Sequence, residues 1–205
     1  MTLEQGAREL WRPSRDEQMA YRSLYMRNER LSLTSAYLRS RLHYNPETGV
    51  FTWLSVAGND AATKSRNAKF AGKVAGNKTQ HGYWRVYIDR IPCQAHCLAW
   101  LYVHGEWPTT DIDHIDRDRL NNRIANLRLA TRAQNNANAS VRKSSLSQIK
   151  GVSWDKQKGK WSARIKFGNR QTHIGYFSTK NDAATAYLAV AKIVFGEFAT
   201  DGRPV

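Results

Sequence analysis

The sequence predicts an α+β protein built from two small units, and two successions of elements indicate it. A short strand-like run from Thr110 to Ile112 is followed by a polar loop, a second strand-like run from Leu127 to Ala130 and a helix start at Thr131. Further along, three strands with hairpin turns precede a long alanine-rich helix from Thr179 to about Phe195, and Gly196 is placed to end it. A chain of 205 residues can hold one large domain or two small ones.

The N-terminal residues 1–41 predict a roughly neutral helical extension. Ser14 and Glu17 have the spacing of a capping box, and apolar residues recur behind them at helical intervals. After this extension, a turn-forming run precedes a strand at residues 50–53. Residues 57–70, rich in Ala, Gly, Asn, Thr and Lys, predict a polar connection without regular structure.

A small antiparallel sheet and an apolar helix are predicted next. Trp84, Val86 and Ile88 alternate with more polar neighbours and lead into a turn at residues 89–90, which is typical of a strand with one buried face. Residues 95–103 form an apolar run that a glycine and a proline follow closely, so we expect a helix there.

The charge of the chain indicates a nucleic-acid partner. It has 32 Lys and Arg against 17 Asp and Glu, a net charge of +15 and a pI near 10.1. Residues 1–60 carry 8 basic and 7 acidic side chains, whereas residues 147–205 carry 10 and 4, so the excess lies on segments with folding patterns. The mean hydropathy of −0.64 and the lack of a long apolar run argue against a membrane protein, and no signal-peptide core is present.

The most informative stretch places Asp113 beside His114 at the end of the first strand-like run. A carboxylate can hold a hard divalent cation, and a neutral imidazole beside it can take a proton from water near pH 7. Thr131 and Gln134 have capping-box spacing, which places Asn135 in the first turn of the following helix. Strand, loop, strand and helix thus predict a compact metal site.

These motifs resemble the HNH nuclease motif of phage and intron-associated homing endonucleases. The matching runs are His96 to Trp100, Asp113 to Asp116, Asn121-Asn122, Asn126-Leu127-Arg128 and Asn135-Asn136. The resemblance covers roughly residues 42–139 and implies a ββα-metal active site.

The resemblance also implies a role for each motif residue. His114 would be the general base, Asp113 and Asn135 would hold the metal, and Asn126 would brace the loop that aims the imidazole. Because Asn135 stands where relatives of the bacterial-toxin type carry His, we expect Mg²⁺, with Mn²⁺ as an alternative, rather than Zn²⁺.

Other polar residues near the motif have two interpretations each. Arg128 and Arg132 are candidates for gripping DNA phosphates, and a solvated arginine is an equal alternative. His96 either touches phosphate or packs at the start of its helix. Asp116 and Asn122 are expected to shape the loop rather than to bind metal.

Along the second strand of the C-terminal unit, apolar side chains alternate with polar and basic ones. One face carries Trp161, Ala163, Ile165 and Phe167, and the other carries Lys160, Ser162, Arg164 and Lys166. The apolar face can pack on the alanines of the helix, which leaves the basic face exposed. Such a sheet has the right size for the major groove of DNA, although any solvated sheet would show the same alternation.

This unit, about residues 147–200, resembles the Apetala-type, or ethylene-response-factor, DNA-binding domain. The matching runs are Gly151-Val152, Lys160-Trp161, Ala163 to Ile165, Gly175 to Phe177 and Ala183 to Tyr187. The resemblance implies DNA contacts from Lys150, Ser153, Asp155, Arg164, Lys166, Gln171 and His173. The plant family has Arg, Arg and Trp where this chain has Ser153, Asp155 and His173, so its target sequence does not transfer.

The expected organisation is a helical extension at 1–41, a nuclease domain at 42–139, a basic linker at 140–149 and a DNA-binding domain at 150–200. The linker composition predicts two semi-independent domains. Cys93 and Cys97 flank a histidine, but structural zinc takes four ligands, so we expect reduced core cysteines.

The sequence therefore predicts a site-directed DNA endonuclease of the mobile phage type, in which the C-terminal sheet selects the DNA site. Its expected partner is double-stranded DNA, its expected cofactor is the divalent metal alone, and its expected state is a monomer in the cytoplasm of the host cell. The alternative is a non-catalytic DNA-binding regulator with a relic nuclease fold. An RNA target is weaker, because nothing resembles a base-stacking RNA module.

Overall fold

The computed structural model describes residues 32–142 and 144–203. Within them the protein is mixed α and β, with five helices and four small antiparallel sheets. The helices are α1 (Ser35–Arg41), α2 (Ala61–Phe70), α3 (Ala95–His104), α4 (Arg132–Asn138) and α5 (Lys180–Phe195). The strands are β1 (Leu42–Asn45), β2 (Val50–Trp53), β3 (Asn77–Lys78), β4 (Trp84–Ile88), β5 (Ile91–Gln94), β6 (Asp111–His114), β7 (Leu127–Ala130), β8 (Val152–Asp155), β9 (Lys160–Phe167) and β10 (Arg170–Phe177). The predicted capping box at Ser14 lies outside the described residues.

The first unit surrounds one apolar core. The hairpin β1–β2, the sheet β3–β4–β5 and helix α3 all contribute buried residues to it, among them Leu42, Phe51, Val86 and Leu98. The turn at residues 89–90 has positive φ at both positions, as a two-residue hairpin between β4 and β5 requires. No helix within the described ranges is both long and apolar enough to cross a membrane.

The expectation of a polar connection at residues 57–70 is wrong, because helix α2 occupies most of it. Asp60 caps the helix by accepting from Thr63 N at 2.9 Å. Asn67 then ties the helix to the chain before it, donating to Val56 O at 2.8 Å and accepting from Val56 N at 2.9 Å. The helix has no buried residue, so it lacks the apolar stripe from which helices are recognised in sequence.

A hairpin and a helix follow as expected from the sequence. Strand β6 pairs antiparallel with β7, so that Asp113 lies opposite Arg128 and His114 opposite Leu127. The strand predicted to end at residue 112 extends to His114. Thr131 and Gln134 form the expected capping box at the start of α4. This arrangement brings β6, β7 and α4 into mutual contact.

The C-terminal unit is a three-stranded antiparallel sheet packed on α5. The strand order is β10–β9–β8, and buried Ala163, Ile165 and Val152 face Ala183 and other small residues of the helix. Thr179 caps α5 and Gly196 ends it, as the sequence predicts.

Two positions of β9 differ from the predicted alternation. Ser162 lies on the polar face but is only 1% exposed, since it is paired on both sides, with Ser153 of β8 and Tyr176 of β10. Phe167 belongs to the apolar face but is 61% exposed, because it ends the strand at the edge of the core. Alternation gives the face of a residue, whereas its depth depends on neighbouring strands.

Contacts cross between the two units over the segment expected to be a linker. Residues 140–142 and 144–149 contain no helix or strand, yet Ile149 is buried in the C-terminal core. Val141 N donates to Gly202 O at 2.9 Å, and Lys150 N donates to Asp201 O at 2.8 Å. Ala130 and Ala137 of the first unit pack with Phe198 of the second. The chain end at 198–202 therefore packs against both units.

Two glycines with similar backbone angles give a test of the packing between β9 and α5. Gly151 and Gly159 have φ of 64° and 58°. A Cβ on Gly151 would lie 2.2 Å from Arg164 O and 2.5 Å from the Tyr187 ring, whereas one on Gly159 would meet nothing within 4 Å. We expect Gly159→Ala to cost about 1–2 kcal/mol for its left-handed backbone, and Gly151→Ala to cost about 1–3 kcal/mol more. Urea unfolding of both variants measures this difference, and equal costs would contradict the packing.

Candidate active site

The candidate active site is a cleft where the β6–β7 hairpin meets α4. It has a volume of about 380 Å³ and is lined by residues that include Asp113, His114, Asn135 and Asn138. The first two come from the end of β6 and the other two from one face of α4, three residues apart. The structure thus brings the predicted carboxylate, imidazole and helical amide to one cleft.

Asp113 is a buried carboxylate with two donors on its oxygens. It is 4% exposed, and Arg128 of the paired strand donates to Oδ2 from Nε at 3.0 Å and from a terminal nitrogen at 2.9 Å. Asn138 Nδ2 lies 3.0 and 2.9 Å from Oδ1 and Oδ2, and 2.8 Å from the carbonyl oxygen of His114. A buried carboxylate needs such partners, and these donors hold it in one orientation.

His114 is buried and its tautomer is set by Asn122. Nε2 lies 3.3 Å from Asn122 Oδ1, while Asn122 Nδ2 donates to Leu120 O at 3.1 Å. Since an amide oxygen only accepts, Nε2 carries the hydrogen and Nδ1 keeps its lone pair. Burial lowers the pKa of His114 below its usual value, against the opposing effect of the Asn122 hydrogen bond. The imidazole is therefore neutral near pH 7, as a general base requires.

His96 packs directly against this imidazole. The two rings are 5.1 Å apart and nearly perpendicular, and Tyr83 contacts both. Within the described part of the protein, His96 Nδ1 is buried without a hydrogen-bond partner. Burial, followed by repulsion from His114, lowers the pKa of His96 to about 3. His96 thus serves as neutral packing behind His114, and Cys97 on the next position of α3 is half-buried.

Asn126 organises the loop between the two strands. Its Nδ2 donates to Asp116 Oδ1 and to Asn121 O, both at 2.9 Å, and its Oδ1 accepts from Asp116 N at 3.0 Å. Although burial opposes the effect, hydrogen bonds from Asn121 and Asn126 lower the pKa of Asp116. Asp116 and Asn126 thus close the loop that carries the partner of His114.

Asn135 makes one weak hydrogen bond, from Nδ2 to Ile112 O at 3.5 Å. Its amide oxygen has no protein partner among the described residues, and the residue lines the cleft beside Asp113. A carboxylate and an amide oxygen are hard donors that suit Mg²⁺ or Mn²⁺, so these two residues fit a divalent ion. Over 32–142 and 144–203, no group of three or more His, Cys, Asp or Glu could hold a metal, which gives the zinc interpretation of Cys93, His96 and Cys97 no support.

The predicted DNA contacts have two different environments. Ser153, Arg164, Lys166, Gln171 and His173 are exposed, and the register pairs Arg164 with His173 and Lys166 with Gln171, on one face of the sheet. Arg132 is also exposed, 3.7 Å from Asp111.

Arg128 and Lys150 are engaged within the protein instead. Arg128 is 13% exposed and bound to Asp113. The Lys150 ammonium donates to Asn136 O at 2.9 Å and to Ala137 O, and burial lowers its pKa to about 8. A lysine on the last carbonyls of a helix stabilises the helix end, which is a structural role.

Sequence reasoning missed Asn138 and the part that Asn122 plays toward His114. Asn138 could have been found from its position, since it follows Asn135 by three residues on the same helical face. No signal in the sequence indicates that Asn122, eight residues from His114, approaches the ring from within the loop.

Two asparagines of α4 test the support of Asp113. Asn138→Ala removes donors from a buried carboxylate and should lower the free energy of unfolding by about 1–3 kcal/mol. Asn136→Ala is the matched control, because the same substitution on the same helix affects an exposed side chain. Urea unfolding of both variants measures the difference. Equal stability of the two variants would contradict the role of Asn138.

Comparisons with known proteins match the segment that carries Asp113, His114 and Asn135. Residues 93–137, which include α3, the hairpin and most of α4, match the family described as HNH endonuclease. The chain is 38% identical over 121 residues to an uncharacterized HNH endonuclease of Acanthamoeba polyphaga mimivirus, covering 58% of this chain and 62% of that protein. It is 36% identical over 77 residues to Protein 3.8 of Escherichia phage T7, covering 37% and 64%. The chain thus spans less than two thirds of either relative, and no solved structure matches it. Residues 93–137 are accordingly similar to an HNH endonuclease domain, which indicates a nuclease.

Proposed function

We propose that the protein is a metal-dependent DNA endonuclease of the mobile phage type. In this proposal, residues 42–139 cut the phosphodiester bond and residues 150–200 form an Apetala-type domain that selects the site. The observation that carries the proposal is the cleft that holds a buried neutral His114 beside two hard oxygen donors, Asp113 and Asn135. The basic charge of the chain supports a phosphate-rich substrate.

Hydrolysis requires a proton acceptor for the attacking water, and His114 has the properties of one. Asn122 holds the hydrogen on Nε2, so the lone pair on Nδ1 is available to accept the proton. Asn126 fixes the loop in which Asn122 lies and so keeps the imidazole oriented. The ring of His96 packs against the imidazole, with the ring centroids 5.1 Å apart.

Asp113 and Asn135 would hold the divalent ion in the same cleft. When bound, such an ion supplies charge neutralisation at the scissile phosphate and at the departing oxygen. The chain prepares this position by holding the Asp113 carboxylate through Arg128 and Asn138, so that the oxygens need little reorganisation.

The surface between the two units supports the action of both on one duplex. Ser140 and Val141 line the candidate active site and also a second groove of about 420 Å³, which includes Arg164 and Gln171 of the sheet. A duplex that follows this surface would contact the exposed sheet face and the cleft together. A further groove is lined by Arg164 and Lys166 of the sheet and by Arg132, which is exposed at the start of α4.

The role of His114 is tested by His114→Ala with Mg²⁺ and the protein's own genomic DNA region. Turnover should fall by roughly two to four orders of magnitude, the usual contribution of a general base, while DNA affinity is retained. His43→Ala is the matched control, since that histidine is exposed on β1. A time course of cleavage measures turnover, mapping the ends on both strands locates the cut, and a gel shift measures affinity.

Two outcomes would contradict this assignment. Unchanged turnover in His114→Ala would exclude His114 as the base. Wild-type protein that binds its DNA with site preference but never cuts it would favour the alternative, a DNA-binding regulator with a relic nuclease fold.

The role of the sheet is tested by Arg164→Ala in the full chain. If Arg164 reads a base, binding at the preferred site should weaken by about 1–3 kcal/mol and specificity there should relax. If it contacts phosphate, binding should weaken evenly across DNA sequences and the salt slope should fall by about one.

Lys192→Ala removes a positive charge from the exposed surface of α5 and is the control. Competition binding at several salt concentrations distinguishes these outcomes, and an effect no larger than that of the control would remove Arg164 from the interface.

A further inference from the structure

Arg128 connects the candidate active site to the C-terminal unit. Nε and one terminal nitrogen donate to Asp113 Oδ2. The other terminal nitrogen lies 3.3 Å from the carbonyl oxygen of Glu197 and 3.2 Å from its carboxylate. Each nitrogen of the guanidinium is therefore engaged within the protein, which leaves little capacity for a DNA phosphate.

The C-terminal side of this connection is a 3₁₀ turn, Gly196–Phe198, directly after α5. The Phe198 ring centroid is 3.7 Å from the guanidinium carbon of Arg128, well within the range of a cation–π contact. Phe198 is 6% exposed and packs on Ala130 of β7 and Ala137 of α4. Glu197 is 73% exposed, so water screens its ion pair and Phe198 is the stronger constraint.

We propose that Arg128 is a positioning residue for Asp113, and that Phe198 of the C-terminal unit positions Arg128. The C-terminal unit then completes the nuclease site in addition to selecting DNA. This inference rests on the proposed function, because it assigns to Asp113 the binding of a divalent ion.

The physical reason lies in how a buried carboxylate is prepared for a cation. Arg128 donates two hydrogen bonds that converge on Oδ2, and Asn138 donates to both oxygens, so the carboxylate is held in place while Oδ1 keeps lone pairs for the cleft. Groups that orient a metal ligand commonly change metal affinity or activity by 10- to 100-fold when removed. A guanidinium released from Phe198 has more freedom to tilt, and the carboxylate that it holds tilts with it.

The test uses the full chain and two identical substitutions, Phe198→Leu and Phe167→Leu. Both keep an apolar side chain and both lie in the C-terminal unit, but Phe167 is 61% exposed on β9 and packs near Phe195. Mn²⁺ is titrated calorimetrically into metal-free protein without DNA. We expect Phe198→Leu to weaken Mn²⁺ binding by roughly tenfold, with a matching fall in kcat and little change in KM for DNA, whereas Phe167→Leu stays near wild type.

Asn135→Ala shows whether the titration reports on the proposed site, because it should abolish most Mn²⁺ binding. If Asn135→Ala does so while Phe198→Leu binds Mn²⁺ like the wild type or more tightly, the inference is wrong and the proposed function stands. Wild-type protein that neither binds Mn²⁺ nor cuts DNA would overturn both.

A second measurement follows Arg128 itself and does not depend on metal or activity. The exchange of its Nε hydrogen with solvent, observed by nuclear magnetic resonance, should be slow in wild type and at least several-fold faster in Phe198→Leu. Unchanged exchange would show that Phe198 does not position the guanidinium. If Phe198→Leu fails to fold, Glu197→Gln keeps the apolar cluster and should shift both measurements in the same direction by a smaller factor, and no shift in either would overturn the inference.

Discussion

The buried charge of Asp113 is the constraint on which the rest of the site depends. A carboxylate that is 4% exposed is tolerated only when donors surround it, and here the donors come from β7 and α4. Arg128 therefore has to lie opposite Asp113 in the hairpin register, and α4 has to present Asn138 at the same point. The same two restraints place His114 and Asn135 at the cleft, so one electrostatic requirement sets the geometry of several functional groups.

Much of the fold follows from short-range patterns. The capping box at Thr131, the alternation along β9 and the glycine that ends α5 each depend on a few neighbouring residues, and the structure has all three. Helix α2 was missed because it buries nothing and is held by Asn67 through backbone contacts that no periodicity reveals. The buried position of Ser162 depends on pairing with two other strands, which a single strand cannot show.

The candidate site likewise contains some residues that the sequence predicts and some contacts that it does not. Asp113, His114 and Asn135 were predicted from the succession of elements and Asn126 from the resemblance to the nuclease motif. The structure places the first three at the cleft and Asn126 in the loop behind it. Arg128 has the same appearance in sequence whether it contacts phosphate or a carboxylate, and only the pairing of β6 with β7 decides between them. Arg128 contacts residues 197 and 198, which lie about seventy positions further along the chain. Patterns among neighbouring residues could not predict this contact.

Several arginine and lysine side chains near the cleft bind protein oxygens, so in the proposed function they are not available to DNA phosphates. Arg128 and Lys150 are held on protein groups, and Arg117 donates to Arg203 O at 2.6 Å beside the cleft. Desolvated cations already paired with protein oxygens release few counterions from a duplex. The salt dependence of binding should therefore reflect the exposed sheet face, where Arg164 and Lys166 lie, more than the net charge of +15. Charge near the cleft contacts protein groups of the two units, and in the proposed function the charge on the sheet is the part available to a duplex.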